Sequence, residues 1–183
     1  MILNTEKLIL RQWHVDDYQP FAKLNANSEV MAFYPNKLTT FESDRFAQKL
    51  ESLIKKRGWG LWAGECKVDS QFIGYIGLHD TEATLPFYPR IEIGWRLSRA
   101  YWGNGYATEG AKAAMQFAFE VLLLDEVISF TSVKNSRSQA VMRRLGMMNT
   151  GENFEHPAIP EGHPLREHVY YKMIRSDWFF NRD

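Results

Sequence analysis

The chain of 183 residues has a single cysteine, Cys66, so an intrachain disulfide is excluded and stability has to come from a packed core. Net charge is missing too: 22 Lys and Arg balance 22 Asp and Glu, which leaves no overall attraction to nucleic acid or to anionic lipid. No apolar run reaches the ~20 residues that a bilayer-crossing helix needs. The opening Met1-Ile2-Leu3-Asn4-Thr5-Glu6 lacks the basic and long apolar regions of a secretory signal. The expected location is therefore the cytoplasm, with neither membrane nor nucleic acid as a partner. Repeats, linkers and low-complexity tracts are also lacking, so residues 1–183 read as one domain. His156, His163 and His168 straddle a proline-rich loop without the regular separations of a zinc site, and no metal is expected.

What the chain does have is a globular composition, 45% hydrophobic with 14% aromatic residues, enough for one core and for the walls of a ligand cleft. Lys7-Leu8-Ile9-Leu10-Arg11 reads as a strand, and Asp16 is placed to cap a helix running through Phe21 and Leu24 with Pro20 in its first turn. Thr39-Thr40-Phe41-Glu42 has capping-box spacing. Phe46, Leu50, Leu53 and Ile54 then form an apolar face that Gly58 terminates. Lys55-Lys56-Arg57 at that end reads as a solvated, dipole-compensating cluster.

Gly60 to Cys66 and Phe72 to Leu78 predict a hairpin about Lys67-Val68-Asp69-Ser70, and Ile91 to Leu97 a further strand. Ala111, Ala114, Met115, Ala118 and Leu122 mark the next helix. Val127 to Val133 is a strand, Ser136 to Leu145 a helix stopped by Gly146, and Met147 to Phe154 and His168 to Ile174 complete the sheet. The three prolines of His156 to Pro164 demand an exposed loop. The aromatic pair Phe179-Phe180 after Trp178 reads as a tail packed on the body, with an oligomer contact as the alternative. This order makes a mixed α/β layer of about seven strands and about four helices.

Chemistry concentrates in Trp102-Gly103-Asn104-Gly105-Tyr106-Ala107-Thr108-Glu109, a turn that opens a helix. Glycines at 103 and 105 and the small Ala107 let main-chain N–H groups approach a phosphate, and the helix start adds its positive dipole end. Thr108 adds a hydroxyl. Two glycines also suit any tight strand-to-helix turn, so a purely structural reading stays open. A dinucleotide fingerprint fits poorly, because Thr108 stands where its third glycine would be. No Gly-Lys-Ser or Gly-Lys-Thr of a Walker loop occurs.

Together with Ile91-Glu92-Ile93-Gly94-Trp95-Arg96-Leu97, Asn135-Ser136-Arg137-Ser138, Leu145-Gly146-Met147 and the opening Thr5 to Arg11, this turn resembles the GNAT acetyltransferases of the ribosomal-protein N-terminal acetyltransferase branch. The resemblance spans nearly the whole chain. It implies a single, mostly antiparallel sheet splayed open between Ile91 to Leu97 and Val127 to Val133, with acetyl-CoA as acyl donor in the opening. The implied coenzyme contacts are Trp95, Arg96 and Leu97 on the strand, Trp102, Gly103, Asn104, Gly105, Tyr106, Ala107 and Thr108 on the turn, and Asn135 and Ser138 beyond. The sequence departs from the pattern twice. Trp102 stands where arginine or glutamine often begins the coenzyme loop, leaving Arg99 as a substitute, and Met142 stands where many members carry a proton-donating tyrosine.

An amine attacks only as the free base, yet its reference pKa is ~7.7–8.0 for a protein N-terminus and ~10.4 for lysine. Glu92 is the candidate to take that proton, directly or through water, with an ordinary paired strand glutamate as the alternative. Ser138 is the candidate donor to the leaving thiolate in place of the tyrosine, with a helix-start serine as the alternative. Cys66, in an apolar strand, reads as a buried small hydrophobe and not an acyl carrier. Two classes of function stay open: acetyl transfer to a primary amine such as a protein N-terminus or a small molecule, and non-catalytic acyl-CoA binding on the same fold. The two N-terminal helices and the 156–164 loop are the expected walls of the acceptor site, with the three histidines at its entrance. Monomer and homodimer both remain open.

Overall fold

Alternating burial sets the first hairpin. In β1 (Leu3–Asn4) and β2 (Leu8–Arg11), Leu8 and Leu10 are fully buried while Ile9 and Arg11 are half-buried, the pattern of a strand with one face on the core. The structure is a computed structural model that describes residues 1–180. A 3-10 turn at Val15–Asp17 leads into α1 (Tyr18–Ala26), which has Pro20 in its first turn. Asp17, not the expected Asp16, precedes this helix. Its carboxylate reaches backward, accepting from the His14 N–H at 2.8 Å and from Arg11 Nη1 and Nη2 at 2.7 and 2.9 Å. A two-point bond to a guanidinium outweighs a single cap.

The capping box forms as its spacing predicts: the Glu42 N–H donates to Thr39 Oγ1 and the Thr39 N–H donates to the Glu42 carboxylate. From there α2 (Thr40–Arg57) runs to Gly58, whose φ of +85° ends it. Ser43, Ala47, Leu50 and Ile54 are its buried stripe, with Phe46 and Leu53 half-buried at the margins. Arg57 is not simply solvated: it lies 3.7 Å over the Trp59 ring and pairs with Asp80.

The meander continues through β3 (Leu61–Cys66), β4 (Phe72–Asp80) and β5 (Ile91–Leu97), all antiparallel. Next come a 3-10 turn at Arg99–Tyr101, α3 (Tyr106–Glu120), β6 (Glu126–Ser132) and α4 (Ser136–Arg144). The extended run expected over Met147 to Phe154 is broken into β7 (Met148–Asn149) and β8 (Phe154–Glu155), each pairing with β9 (Glu167–Ile174). The break has a local cause: the Gly151 N–H donates back to Asn149 Oδ1 at 2.9 Å while Gly151 sits at φ +76°, turning the chain out of the ladder.

The result is a nine-stranded sheet in the order β1-β2-β3-β4-β5-β6-β9-β7, with β8 beside β9. The strands beyond the expected seven are two-residue pieces. A fifth helix, α5 (Arg175–Phe180), packs through Trp178, whose ring lies 5.7 Å from Phe119, while Phe179 and Phe180 are exposed. The tail is thus anchored by one ring and not by the Phe pair. α1 and α2 cover the face of the sheet that carries Tyr75, and α3 covers the face that carries Ile76.

Candidate active site

The site begins where two parallel strands part. β5 and β6 are joined at one register position, Glu92 opposite Ile128, and then diverge. At the fork the Ser129 hydroxyl donates to the Ile93 carbonyl at 3.0 Å, capping the last acceptor before the gap. Beyond it lies a cavity of about 860 Å³, a volume in the range of small-molecule sites. Trp95, Arg96 and Leu97 form its β5 side, and Asn135 and Ser138 face them from the start of α4.

The turn expected to hold phosphate lies at its mouth. Gly103 and Gly105 have φ of +81° and +82°, and a Cβ built on either meets nothing within 4 Å. Left-handed backbone explains why glycine stands there, and the open space beside it leaves main-chain N–H groups accessible at the head of a 15-residue helix. Gly103, Gly105, Tyr106, Ala107 and Thr108 line the cavity. Asn104 does not, because its side-chain amide folds back to donate to the Trp102 carbonyl at 3.1 Å. Trp102 braces the loop: its indole N–H donates to the Leu97 carbonyl at 2.9 Å, and its ring carries the guanidinium of Arg99 at 5.2 Å and of Arg137 at 4.7 Å. Arg99 itself is paired with Glu29 at 3.4 Å. Tyr101 ties the turn to the β3–β4 hairpin by donating to Asp69 at 2.7 Å; burial and that carboxylate push its phenol up to about 12.

The first turn of α3 is held from behind. Glu109 accepts from the Thr5 hydroxyl at 2.6 Å and from the Lys7 N–H at 2.7 Å, so its charge is used by the β1–β2 connection even though it lines the cavity. The remaining charges are cationic. Lys112 on α3 and Arg137 and Arg144 on α4 line the same space, and an anion is the ligand they favour. Arg137 and Arg144 are seven residues apart on one helix, a spacing that puts both on one face and is visible in the sequence.

Asn135 is the N-cap of α4, its Oδ1 accepting from the Ser138 N–H at 3.2 Å. Its Nδ2 donates to Thr131 Oγ1 at 2.9 Å and to Ser138 Oγ at 3.0 Å. Ser138 Oγ therefore has a lone pair engaged, while its own hydrogen has no protein acceptor among the described residues. Met142 is buried in the core and does not line the cavity. Cys66 is buried, its sulfur 3.3 Å from the Tyr106 hydroxyl.

Glu92 lies outside the cavity lining. It is buried on β5, 3.1 Å from Nε2 of His79, which stands opposite it on β4. Burial favours neutral His79, but the charge and hydrogen bond of Glu92, with the Asp80 carbonyl, outweigh it and raise its pKa. His156 and His168 behave in the opposite way, burial lowering both. Their rings lie 5.0 Å apart against Phe130 and Phe154, in an aromatic cluster that includes Phe87 and Tyr170. Neither they nor His163 lines the cavity, and the 156–164 loop contributes nothing to its wall. Instead Ile159 of that loop is buried. The far wall comes from the connection after α1, through Glu29, Val30, Phe33 and Tyr34, which the sequence analysis did not single out. Among the described residues no group of three or more His, Cys, Asp or Glu is placed to hold a metal ion, and no helix is long and apolar enough to cross a membrane.

Residues 7–148 match the acetyltransferase (GNAT) domain family. Across 97% of this chain and 99% of the relative, the sequence is 25% identical to the uncharacterized N-acetyltransferase YnaD of Bacillus subtilis. It is 36% identical to the FsC-acetyl coenzyme A-N(2)-transacetylase of Aspergillus fumigatus over 66% of this chain and 52% of that protein. The solved structure of a GNAT-family acetyltransferase from Bacillus anthracis superposes with a TM-score of 0.79 at 24% identity, covering 96% of this chain and 99% of that one.

Proposed function

The chain belongs to the GNAT acetyltransferase family, and on that premise we propose that residues 1–183 act as one catalytic domain that transfers acetyl from acetyl-CoA to a primary amine by direct attack in a ternary complex. The observation that carries this reading is the parting of β5 and β6 over a cavity that also takes in the glycine turn of α3 and the start of α4. The residues fit the coenzyme. Main-chain N–H groups of Gly103, Gly105, Tyr106, Ala107 and Thr108 suit a pyrophosphate, with Lys112, Arg137 and Arg144 supplying countercharge. The unpaired edge of Trp95, Arg96 and Leu97 suits an amide-bearing arm, and Asn135 and Ser138 close the opposite side. Acetyl-CoA supplies the activated acyl group as a thioester.

Two proton positions complete the reading. Ser138 Oγ holds a hydrogen not used by the protein, on a hydroxyl oriented by Asn135, and serves the departing sulfur. Glu92 accepts the proton of the incoming amine through water, because its carboxylate lies outside the cavity lining and is tied to His79. No covalent enzyme intermediate is needed, which agrees with Cys66 being buried. The acceptor is a protein N-terminus or a small amine. The transfer takes place in the cytoplasm, on a monomer or homodimer.

The test is release of free CoA thiol from acetyl-CoA by the purified protein across a panel of amines. Thiol release that requires an amine supports transfer. Tight CoA binding without release for any amine would leave only an acyl-CoA-binding module, and absence of CoA binding would remove the turn from the site.

A further inference from the structure

Arg96 is a buried cation of this cavity that the protein leaves incompletely matched. Only 8% of it is exposed. Its Nη1 donates to Asn25 Oδ1 at 2.7 Å, and its guanidinium lies 4.0 Å from the ring centre of Tyr34 and 5.4 Å from that of Tyr75. The Nε–H is buried with no hydrogen-bond partner, and among the described residues no carboxylate comes within 4.0 Å. Arg11, Arg57, Arg90 and Arg166 each have an acid partner. Burying a guanidinium is tolerated when both its charge and its donors are met. Here the Asn25 amide oxygen, the Tyr34 hydroxyl and ring faces meet them in part, and the Nε–H is left over. Whatever completes the site must accept hydrogen bonds and is favoured if it is an anion. The cavity is the side from which it can come, because Arg96 and Tyr34 both line it, together with Glu29, Val30 and Phe33 of the connection after α1.

Resting on the acetyl-transfer reading, we propose that the amine acceptor also carries a carboxylate, and that Arg96 beside Tyr34 holds it. The acceptor class is then the small amino carboxylates, amino acids and their close derivatives. A polyamine would bring positive charge against an unneutralised guanidinium and is disfavoured. Carbonyl oxygens of the coenzyme are the other acceptors that this N–H could meet, so the test separates the two sources.

Each common L-amino acid is compared with its amide as acceptor, using kcat/KM from thiol release, and calorimetry follows binding of the same compounds to CoA-loaded protein. For the preferred side chain the carboxylate form should exceed its amide by about tenfold or more, the scale of one charge-assisted hydrogen bond. In Arg96→Gln that ratio should collapse to within about threefold of one, chiefly through KM, and Arg96→Lys, with the charge but not the fork, should fall between. If neither variant folds, the parent's own acid-to-amide ratio decides. A parent that uses or binds acids no better than amides overturns the proposal. So does an Arg96→Gln protein whose CoA affinity falls as far as its affinity for the amino carboxylate, which would assign Arg96 to the coenzyme. If no amine is acetylated, the transfer reading fails by itself, and the calorimetric comparison still decides whether Arg96 binds a carboxylate.

Discussion

The glycine turn and the Arg96 wall bound one cavity and are built on opposite principles. The turn presents main chain: Gly103 and Gly105 have open space where side chains would be, and bracing comes from the side chains of Trp102, its first residue, and Tyr101 before it. The wall presents side chains locked together, with Arg96 against Tyr34, Tyr75 and Asn25. A main-chain site tolerates wide changes of neighbouring sequence as long as its backbone is kept. A side-chain site changes its ligand with each substitution. The first suits a constant coenzyme, the second a variable acceptor.

The same substitution should read differently in the two regions. Gly74 sits on β4 with a built Cβ only 2.0 Å from the Arg96 carbonyl, so the strand carrying the wall depends on glycine there. Gly74→Ala should destabilise by about 3 kcal/mol or more, the upper range of overpacking, in urea unfolding. Gly105→Ala should cost about 1–2 kcal/mol, the left-handed backbone term, and show itself more in weaker CoA binding by calorimetry. Equal losses of stability would abolish the distinction.

A smaller effect sharpens the coenzyme side. Ser138→Ala should lower kcat roughly tenfold to a hundredfold, less than a full general acid because water can take its place, while direct titration shows CoA affinity nearly kept. A parallel fall in affinity would mark Ser138 as a binding residue.

The smallest effect concerns the histidines. His79 has a folded pKa raised above its unfolded value near ~6.5, so its pairing with Glu92 stabilises fully below that pH and is lost as pH rises through the folded pKa. His79→Gln should therefore cost on the order of 0.5 kcal/mol near pH 6, the scale of a part-exposed pair, and nothing at high pH, by thermal melts across pH. His156 and His168, with lowered pKa, have the opposite sign: their neutral burial is stabilising above ~6.5 and is lost as pH falls through their folded values. A His79→Gln deficit that grew with pH would overturn the assignment of its charge.

Much of the fold was legible because it is written in local chemistry. The capping box at Thr39, the Gly58 stop and the strand Ile91–Leu97 depend on residues close in sequence. What escaped depends on contacts across the fold. Asp17 replaced Asp16 because Arg11 lies within reach, and the strand after Met147 broke because Asn149 and Gly151 made a turn. The same division runs through the site. That Gly103, Gly105, Ala107 and Thr108 line a cavity was legible from small side chains in series, whereas the bond of the Asn104 amide to the Trp102 carbonyl was not. Tyr34 and Phe33 were not, because nothing in their own segment shows that β5 lies opposite. Glu92 was picked out on its strand, while its partner His79 becomes visible only through the β4–β5 register.

Glu109 couples the glycine turn to the β1–β2 edge of the sheet. By accepting from Thr5 and Lys7 it ties the β1–β2 connection to the first turn of α3, so that the order of one favours the order of the other. A ligand that orders that turn should protect Thr5 to Lys7 against opening, and opening of that connection should weaken the ligand by the same coupling free energy.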